Sequence, residues 1–318
     1  MLPALAFYLW SQLQQVPVEV AHSAYSAAQT AAAWYYGFHS REVTADHCTT
    51  RYLEKGHGST LLLIHGAAAS KEVWLPVIPY LAKHYHLIIP DLPGHGQSCR
   101  DMERDFSMQG YSRWLKAFLD RLSVGRVHIA GHSAGGSVAA WFTAEQTGHV
   151  GSLTLIAPAG IEDVPADYSS MTPFMLELVQ TGRNRFRINR AGDFYEQVVK
   201  PNFYNPPWAP WGGYRFLAWE HMRNAEQLEK VTEGLLTTRE DIQSGKKNLE
   251  QLASDIDAPM QVIWGEKDQI THIRGADVAE NMRSDIKVYR LSDAGHALTI
   301  EAPQQLAEYV EKLVKESE

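Results

Sequence analysis

The sequence predicts an α/β chain, a doubly wound and mostly parallel sheet with an inserted helical cap. Three observations carry that expectation. Six short, almost uninterrupted apolar runs recur along the chain, helix-like segments separate them in regular succession, and one long interval breaks the rhythm. Apolar runs of this length suit strands buried on both faces of a parallel sheet, and regular alternation with helices implies right-handed crossovers.

The runs are residues 60–65 (TLLLIH), 85–90 (YHLIIP), 126–130 (RVHIA), 152–157 (SLTLIA), 259–264 (PMQVIW) and 286–291 (IKVYRL). Helical patterns fall at 71–84, 107–122, 134–148, 275–283 and 303–315. Between Ala157 and Pro259 the helical patterns at 172–181, 192–199 and 214–236 surround the run NFYNPPWAPWGGYRF. A structureless loop of that length is foreign to a compact domain, so the interval is predicted to be a helical cap. The expected organisation is an N-terminal helical, apolar segment over 1–42, a core over 43–160 and 256–318, and the cap over 161–255.

With 318 residues, 45% hydrophobic and 21% charged, the chain has the composition of a globular protein with a sizeable core. A net charge of −8 excludes the basic face that a nucleic-acid partner requires. Two cysteines, Cys48 and Cys99, do not make a disulfide framework, and they are read as reduced thiols used as small side chains. The first forty residues contain no Lys or Arg, so the positive n-region of a secretory signal is missing. Leu2, Leu5, Leu9 and Leu13 share one helical face before Pro17, over a stretch shorter than the roughly 20 residues of a membrane span. With the aromatic residues Phe7, Tyr8, Trp10, Trp34, Tyr35 and Tyr36, this face suits either a membrane interface or packing on protein.

Residues 131–135 (GHSAG) fit G-x-S-x-G directly after a strand run and before a helical one. In that context the Ser stands on a sharp strand-to-helix turn, its hydroxyl exposed at a helix N-terminus. Small residues two positions to either side leave room for the turn, hence Gly131 and Gly135. Ser133 is the expected nucleophile, and a serine hydroxyl needs a base. His296 follows the last strand run, and Asp268 follows the run before it. The order Ser133, Asp268, His296 is the nucleophile–acid–histidine order of such sheets. Glu162 and Asp163 are rival candidates for the acid.

The oxyanion hole needs two backbone N–H donors, expected from Ala134 and, in the turn HGAAAS (65–70), from Ala67. His132 is expected to line the site, as are Trp208 and Trp211 in the aromatic run, whose alternative role is to hold the cap together. Of the 14 histidines, His22, His39, His57, His84, His86, His149, His221 and His272 carry no motif and are placed at the surface or its edge. No H-E-x-x-H or paired Cys/His spacing suggests zinc, and no metal or cofactor is expected.

Five motifs now stand in order: HGAAAS (65–70), DLPGHGQS (91–98), GHSAGG (131–136), WGEKDQI (264–270) and DAGHALTIEAP (293–303). By these the chain resembles the α/β-hydrolase superfamily from about Val43 to its end. KEVWLPVIPYLAKHYHLIIPDLPGHG, LIAPAGI and PMQVIWGEKDQITHIRGAD are similar to the monoacylglycerol lipase branch and its bacterial lipase relatives. The resemblance implies Ser133, Asp268 and His296 as triad, Ala67 and Ala134 as oxyanion donors, and a structural role for Asp91. It also implies membrane association through the N-terminal segment, although this apolar run is shorter than a span. A dehalogenase would carry Asp in place of Ser133, and the carbon–carbon hydrolases usually have a glycine-rich, proline-containing loop that HGAAAS lacks.

The expected activity is therefore hydrolysis of lipid-like or medium-chain acyl esters through an acyl-enzyme. The expected partners are an ester substrate and a membrane surface, with a membrane-associated or cytoplasmic location. Carbon–carbon hydrolysis or perhydrolysis on the same triad, and a catalytically inactive binding protein, are the alternatives.

Overall fold

A computed structural model describes residues 33–161, 191–207, 211–235 and 248–318, together with positions 27, 30 and 31. Eight strands form one sheet in the order β1-β2-β4-β3-β5-β6-β7-β8. They are β1 (His39–Ala45), β2 (Cys48–Lys55), β3 (Thr60–Ile64), β4 (His86–Pro90), β5 (Val127–His132), β6 (Val150–Ile156), β7 (Met260–Gly265) and β8 (Lys287–Leu291). All six apolar runs are strands, paired in parallel from β4 through β8. β3 through β7 are buried almost throughout, because helices cover both faces of this part of the sheet.

The strands β1 and β2 are additional to the runs read from sequence and form an antiparallel hairpin at the edge. β1 is mostly exposed, so it lacks an apolar signature. Its turn places Asp46 at φ 47° and His47 at φ 57°. Positive φ at both central residues is the two-residue turn that matches strand twist, here without the glycine that usually announces it.

The covering helices are α1 (Ile78–Leu81), α2 (Met108–Arg121), α3 (Ala134–Glu145), α4 (Trp211–Arg223), α5 (Ala225–Leu235), α6 (Leu249–Ala253), α7 (Arg274–Met282), α8 (Leu298–Glu301) and α9 (Pro303–Ser317). The pattern expected over 71–84 is instead a 3₁₀ turn, Lys71–Trp74, followed by α1. Between β6 and β7 every described element is helical, including the turns over 191–202. The expected helix over 172–181 lies outside the described residues, as do Leu2, Leu5, Leu9, Leu13, Phe7, Tyr8, Trp10 and His22.

Cys48 and Cys99 correct the expectation of reduced thiols. They form a disulfide with Cα atoms 5.3 Å apart, within the usual reach of such a bond. Their separation of 51 positions hides the pairing in the sequence. Tertiary structure brings them together: the loop after β4 runs back along β2, Asp91 N–H donating to Arg51 O at 2.8 Å and Cys99 N–H to Thr49 O at 3.0 Å. His221 is a second correction. It is buried, its ring 5.5 Å from that of Phe194, in a small apolar cluster of the inserted helices rather than at the surface.

Candidate active site

The sheet order reverses direction at β3, whose neighbours are β4 on one side and β5 on the other. Loops leaving the carboxyl ends of β3 and β5 diverge there, and such a switch point opens a crevice for ligands. The turn after β3 carries Gly66 and Ala67, and the turn after β5 carries Ser133.

Ser133 adopts φ 54°, ψ −125°, a region that L-residues rarely occupy, and is partly exposed. The strain is held by Ser133 N–H donating to Ile156 O at 2.9 Å and by Gly136 N–H donating to Ser133 O at 2.9 Å. The flanking glycines are required by contact: a Cβ on Gly131 would lie 2.4 Å from Gly135 O, and one on Gly135 would lie 2.3 Å from His65 O. Ser133 immediately precedes α3, whose first N–H groups have no partner within the helix. A Cβ on Gly66 would stand 2.8 Å from Ser133 Cβ, so the turn after β3 touches the serine. Among the described residues neither Ala67 N–H nor Ala134 N–H has an acceptor.

That first turn is itself braced from beneath. Buried His65 donates from Nδ1 to Gly66 O at 2.8 Å and accepts Leu92 N–H at Nε2 at 3.0 Å, which sets its tautomer. Burial, above all, pushes its pKa down to about 4. Asp91 is fully buried and accepts from Lys71 N–H at 2.8 Å, Lys71 Nζ at 2.7 Å and Gln97 N–H at 2.9 Å. Lys71 Nζ also meets Glu72 Oε1 at 2.9 Å. Burial by itself would lower the Lys71 pKa, but the two carboxylates outweigh it and raise the value. Asp91 thus ties the turn after β3 to the loop after β4.

On the other side of the switch point, Asp268 follows β7 and His296 follows β8, and both are buried. His296 Nδ1 lies 2.7 Å from Asp268 Oδ2. The carboxylate is held on every side: Oδ1 accepts the N–H groups of Ile270 at 2.7 Å and Thr271 at 2.9 Å, and Oδ2 accepts Thr271 Oγ1–H at 2.9 Å. A carboxylate so fixed keeps the imidazole Nδ1 protonated and leaves Nε2 as the basic atom. The structure therefore brings Asp268 to His296 and sets Ser133 beside the Gly66 turn. Glu162, Asp163 and Trp208 lie outside the described residues; Trp211 is the first residue of α4.

Two contributors were not singled out in the sequence. Thr271 completes the Asp268 cage, and its signal is the D-x-x-T spacing by which a carboxylate captures N–H groups two and three residues on. Glu301 accepts Gly295 N–H at Oε2 at 2.8 Å and, at Oε1, the N–H groups of Tyr204 at 2.7 Å and Asn205 at 2.9 Å. One carboxylate thereby joins the histidine loop to the segment that follows the helical turns over 191–202. Ala297 N–H reinforces this junction by donating to Asn202 O at 2.8 Å.

Comparison with known proteins agrees with this fold. Residues 59–199 match the family described as alpha/beta hydrolase fold. Monoacylglycerol lipase ABHD6 of Mus musculus is 27% identical over 279 residues, which cover 80% of this chain and 75% of that protein. Lipase 1 of Psychrobacter immobilis is 29% identical over 260 residues, covering 81% and 78%. The crystal structure of a membrane phospholipase A, described as a bacterial virulence factor, superposes with a TM-score of 0.83 at 25% identity, covering 99% of this chain and 98% of that one. A meta-cleavage product hydrolase, CumD, superposes with a TM-score of 0.70 at 18% identity, a likeness of fold alone.

Proposed function

Because this chain belongs to the α/β-hydrolase superfamily, we propose that it is a serine carboxylester hydrolase acting on lipid-like acyl esters. The observation that carries the reading is the buried Asp268–His296 pair, 2.7 Å apart, on the same sheet edge as a serine in a strained strand-to-helix turn. Ser133 Oγ attacks the ester carbonyl while His296 Nε2 takes its proton. The N–H groups of Ala67 and Ala134 stabilise the oxyanion. His296 then returns the proton to the departing alcohol, leaving an acyl-enzyme. Water, deprotonated by the same Nε2, attacks that acyl group and releases the acid and free Ser133. Asp268 stays ionised throughout.

The monoacylglycerol lipase and lipase relatives support a lipid ester as substrate. The helices inserted between β6 and β7 form the cap, and they supply the acyl pocket. The decisive experiment is fluorophosphonate labelling with p-nitrophenyl ester and monoacylglycerol turnover. Wild-type protein is expected to label and turn over, and Ser133→Ala to do neither while unfolding at the same temperature. Labelling that persists in Ser133→Ala would remove the nucleophile from this reading.

The protein works at a membrane surface outside the reducing cytosol. Trp34 and Tyr35 are 75% and 80% exposed, whereas Ala33 and Phe38 of the same segment pack into the core. One side of this short segment therefore packs on the protein while the other presents aromatic rings. Exposed aromatic rings suit the headgroup layer, and among the described residues no helix is long and apolar enough to cross a membrane. The disulfide weighs against a cytosolic location, since such bonds persist in oxidising compartments.

A further inference from the structure

His132 is buried, 8% exposed, and its ring lies between the turn after β3, the serine turn and the histidine loop. Its Nε2 is 2.8 Å from the backbone carbonyl oxygen of His296. A carbonyl only accepts, so Nε2 carries the proton and donates. The other ring nitrogen, Nδ1, is buried without a hydrogen-bond partner and faces Gly66: a Cβ placed there would stand 3.4 Å from it. The two imidazoles are in contact, their centroids 4.8 Å apart with planes tilted by 48°.

We propose that His132 is a positioning residue, which holds the His296 loop at a set distance from the serine turn by donating its single ring proton to the His296 carbonyl. This rests on the serine hydrolase reading above. The reason is connectivity. His132 is the residue next to Ser133 in the chain, and its bond runs to the residue that carries the base. Proton transfer from Ser133 Oγ to His296 Nε2 requires two loops, from the ends of β5 and β8, to stay in register within a fraction of an ångström. Asp268 orients the imidazole ring from the Nδ1 side, but it is anchored to its own loop by Ile270 and Thr271. His132 instead spans the β5 and β8 loops directly.

Neutrality belongs to the same role. A charged ring 4.8 Å from His296 would oppose the imidazolium formed during attack. Burial, and then the neighbouring His296, push the His132 pKa down to about 3, so the ring stays neutral across the working range. This also separates positioning from substrate contact: the one donor of a neutral imidazole is already bonded to protein, and its remaining lone pair faces Gly66.

The test compares His132→Leu, which fills the space without a donor, with His132→Gln, whose terminal amide can reach the same carbonyl. A misplaced base costs roughly a hundredfold in rate when the shift approaches an ångström. His132→Leu is therefore expected to lose about 10- to 100-fold in kcat for a short-chain p-nitrophenyl ester, with KM within about twofold of wild type. His132→Gln is expected to recover most of that loss. The fluorophosphonate inactivation rate should follow kcat in both variants, and thermal unfolding identifies a variant that has simply lost its fold. Equal loss in both variants at matched stability would overturn the proposal. So would a Leu variant with unchanged kcat, or one altered only in KM, as a substrate contact would be. Failure of the wild type itself to label or turn over esters would instead overturn the serine hydrolase reading.

Discussion

Replacing Asp268 with Asn changes one oxygen to an amide nitrogen, and the surroundings decide where that nitrogen goes. Asp268 Oδ1 accepts two backbone N–H groups, from Ile270 at 2.7 Å and Thr271 at 2.9 Å. Turning the amide over would set its NH₂ against both donors, so the amide oxygen occupies the Oδ1 position and the NH₂ points at His296 Nδ1, 2.7 Å away. Nδ1 must then accept, and the ring proton moves to Nε2, the atom that has to remove the proton from Ser133. The same substitution in the Ser-His-Asp triad of serine proteases lowers kcat by about 10⁴-fold through this tautomer reversal. A loss of that size, about 5.5 kcal/mol of transition-state stabilisation at 1.36 kcal/mol per tenfold, is expected here. KM should barely move, since no substrate contact is removed. Stability should fall by only about 1–2 kcal/mol, because charge-assisted bonds become neutral ones in an unchanged volume. The assay is kcat on a short-chain p-nitrophenyl ester, with urea unfolding measured on the same preparation. Activity within tenfold of wild type in a fully folded variant would refute the assignment of Asp268 as the acid.

Cys99→Ser opens a loop of 51 residues' separation and is expected to lower stability by about 4 kcal/mol on the chain-entropy estimate, seen as a lower urea midpoint that dithiothreitol reproduces in the wild type. Lys71→Met strands the fully buried Asp91 carboxylate and should cost about 3–5 kcal/mol. Denaturant unfolding of that variant alongside the Lys71→Met/Asp91→Asn double variant checks this, because removing both charges should recover part of the loss while the amide oxygen still accepts a backbone N–H. Stability should also rise with pH between about 4 and 6.5 and level off above. Burial, first of all, pushes His65, His95 and His132 down to about 4, 3 and 3, so the unfolded chain binds more protons than the folded one in that window. Three such groups set a slope of up to about 4 kcal/mol per pH unit near pH 5, and a urea midpoint that stays flat from pH 5 to 7.5 would contradict it.

The parallel sheet was legible because burial on both faces writes itself as uninterrupted apolar runs, and β3 through β8 stand where 60–65 to 286–291 predicted them. The serine turn was legible for a related reason: its backbone contacts admit no Cβ at positions 131 and 135, so the chemistry of the turn is spelled in adjacent residues. Asp268 and His296 could be paired because each follows a strand, and strand order puts their loops at one edge. The hairpin of β1 and β2 was not legible. Its outer strand buries little, and its turn uses Asp46 and His47 at positive φ instead of glycine.

Other features depend on separations that no local pattern records. Cys48 meets Cys99, Lys71 meets Asp91, and Glu301 binds Tyr204 and Asn205 only because the sheet folds distant loops against one another. His132 shows the division within a single residue. Its place before the nucleophile is a fact of the sequence, and from that alone it reads as a side chain lining the crevice. That its ring proton is bonded to the carbonyl of His296, 164 positions away, follows from the approach of the β5 and β8 loops. Local backbone strain and strand burial are properties of neighbouring residues and can be read from their order. A hydrogen bond between loops has direction and a length tolerance of a few tenths of an ångström, and only the packed sheet supplies that placement.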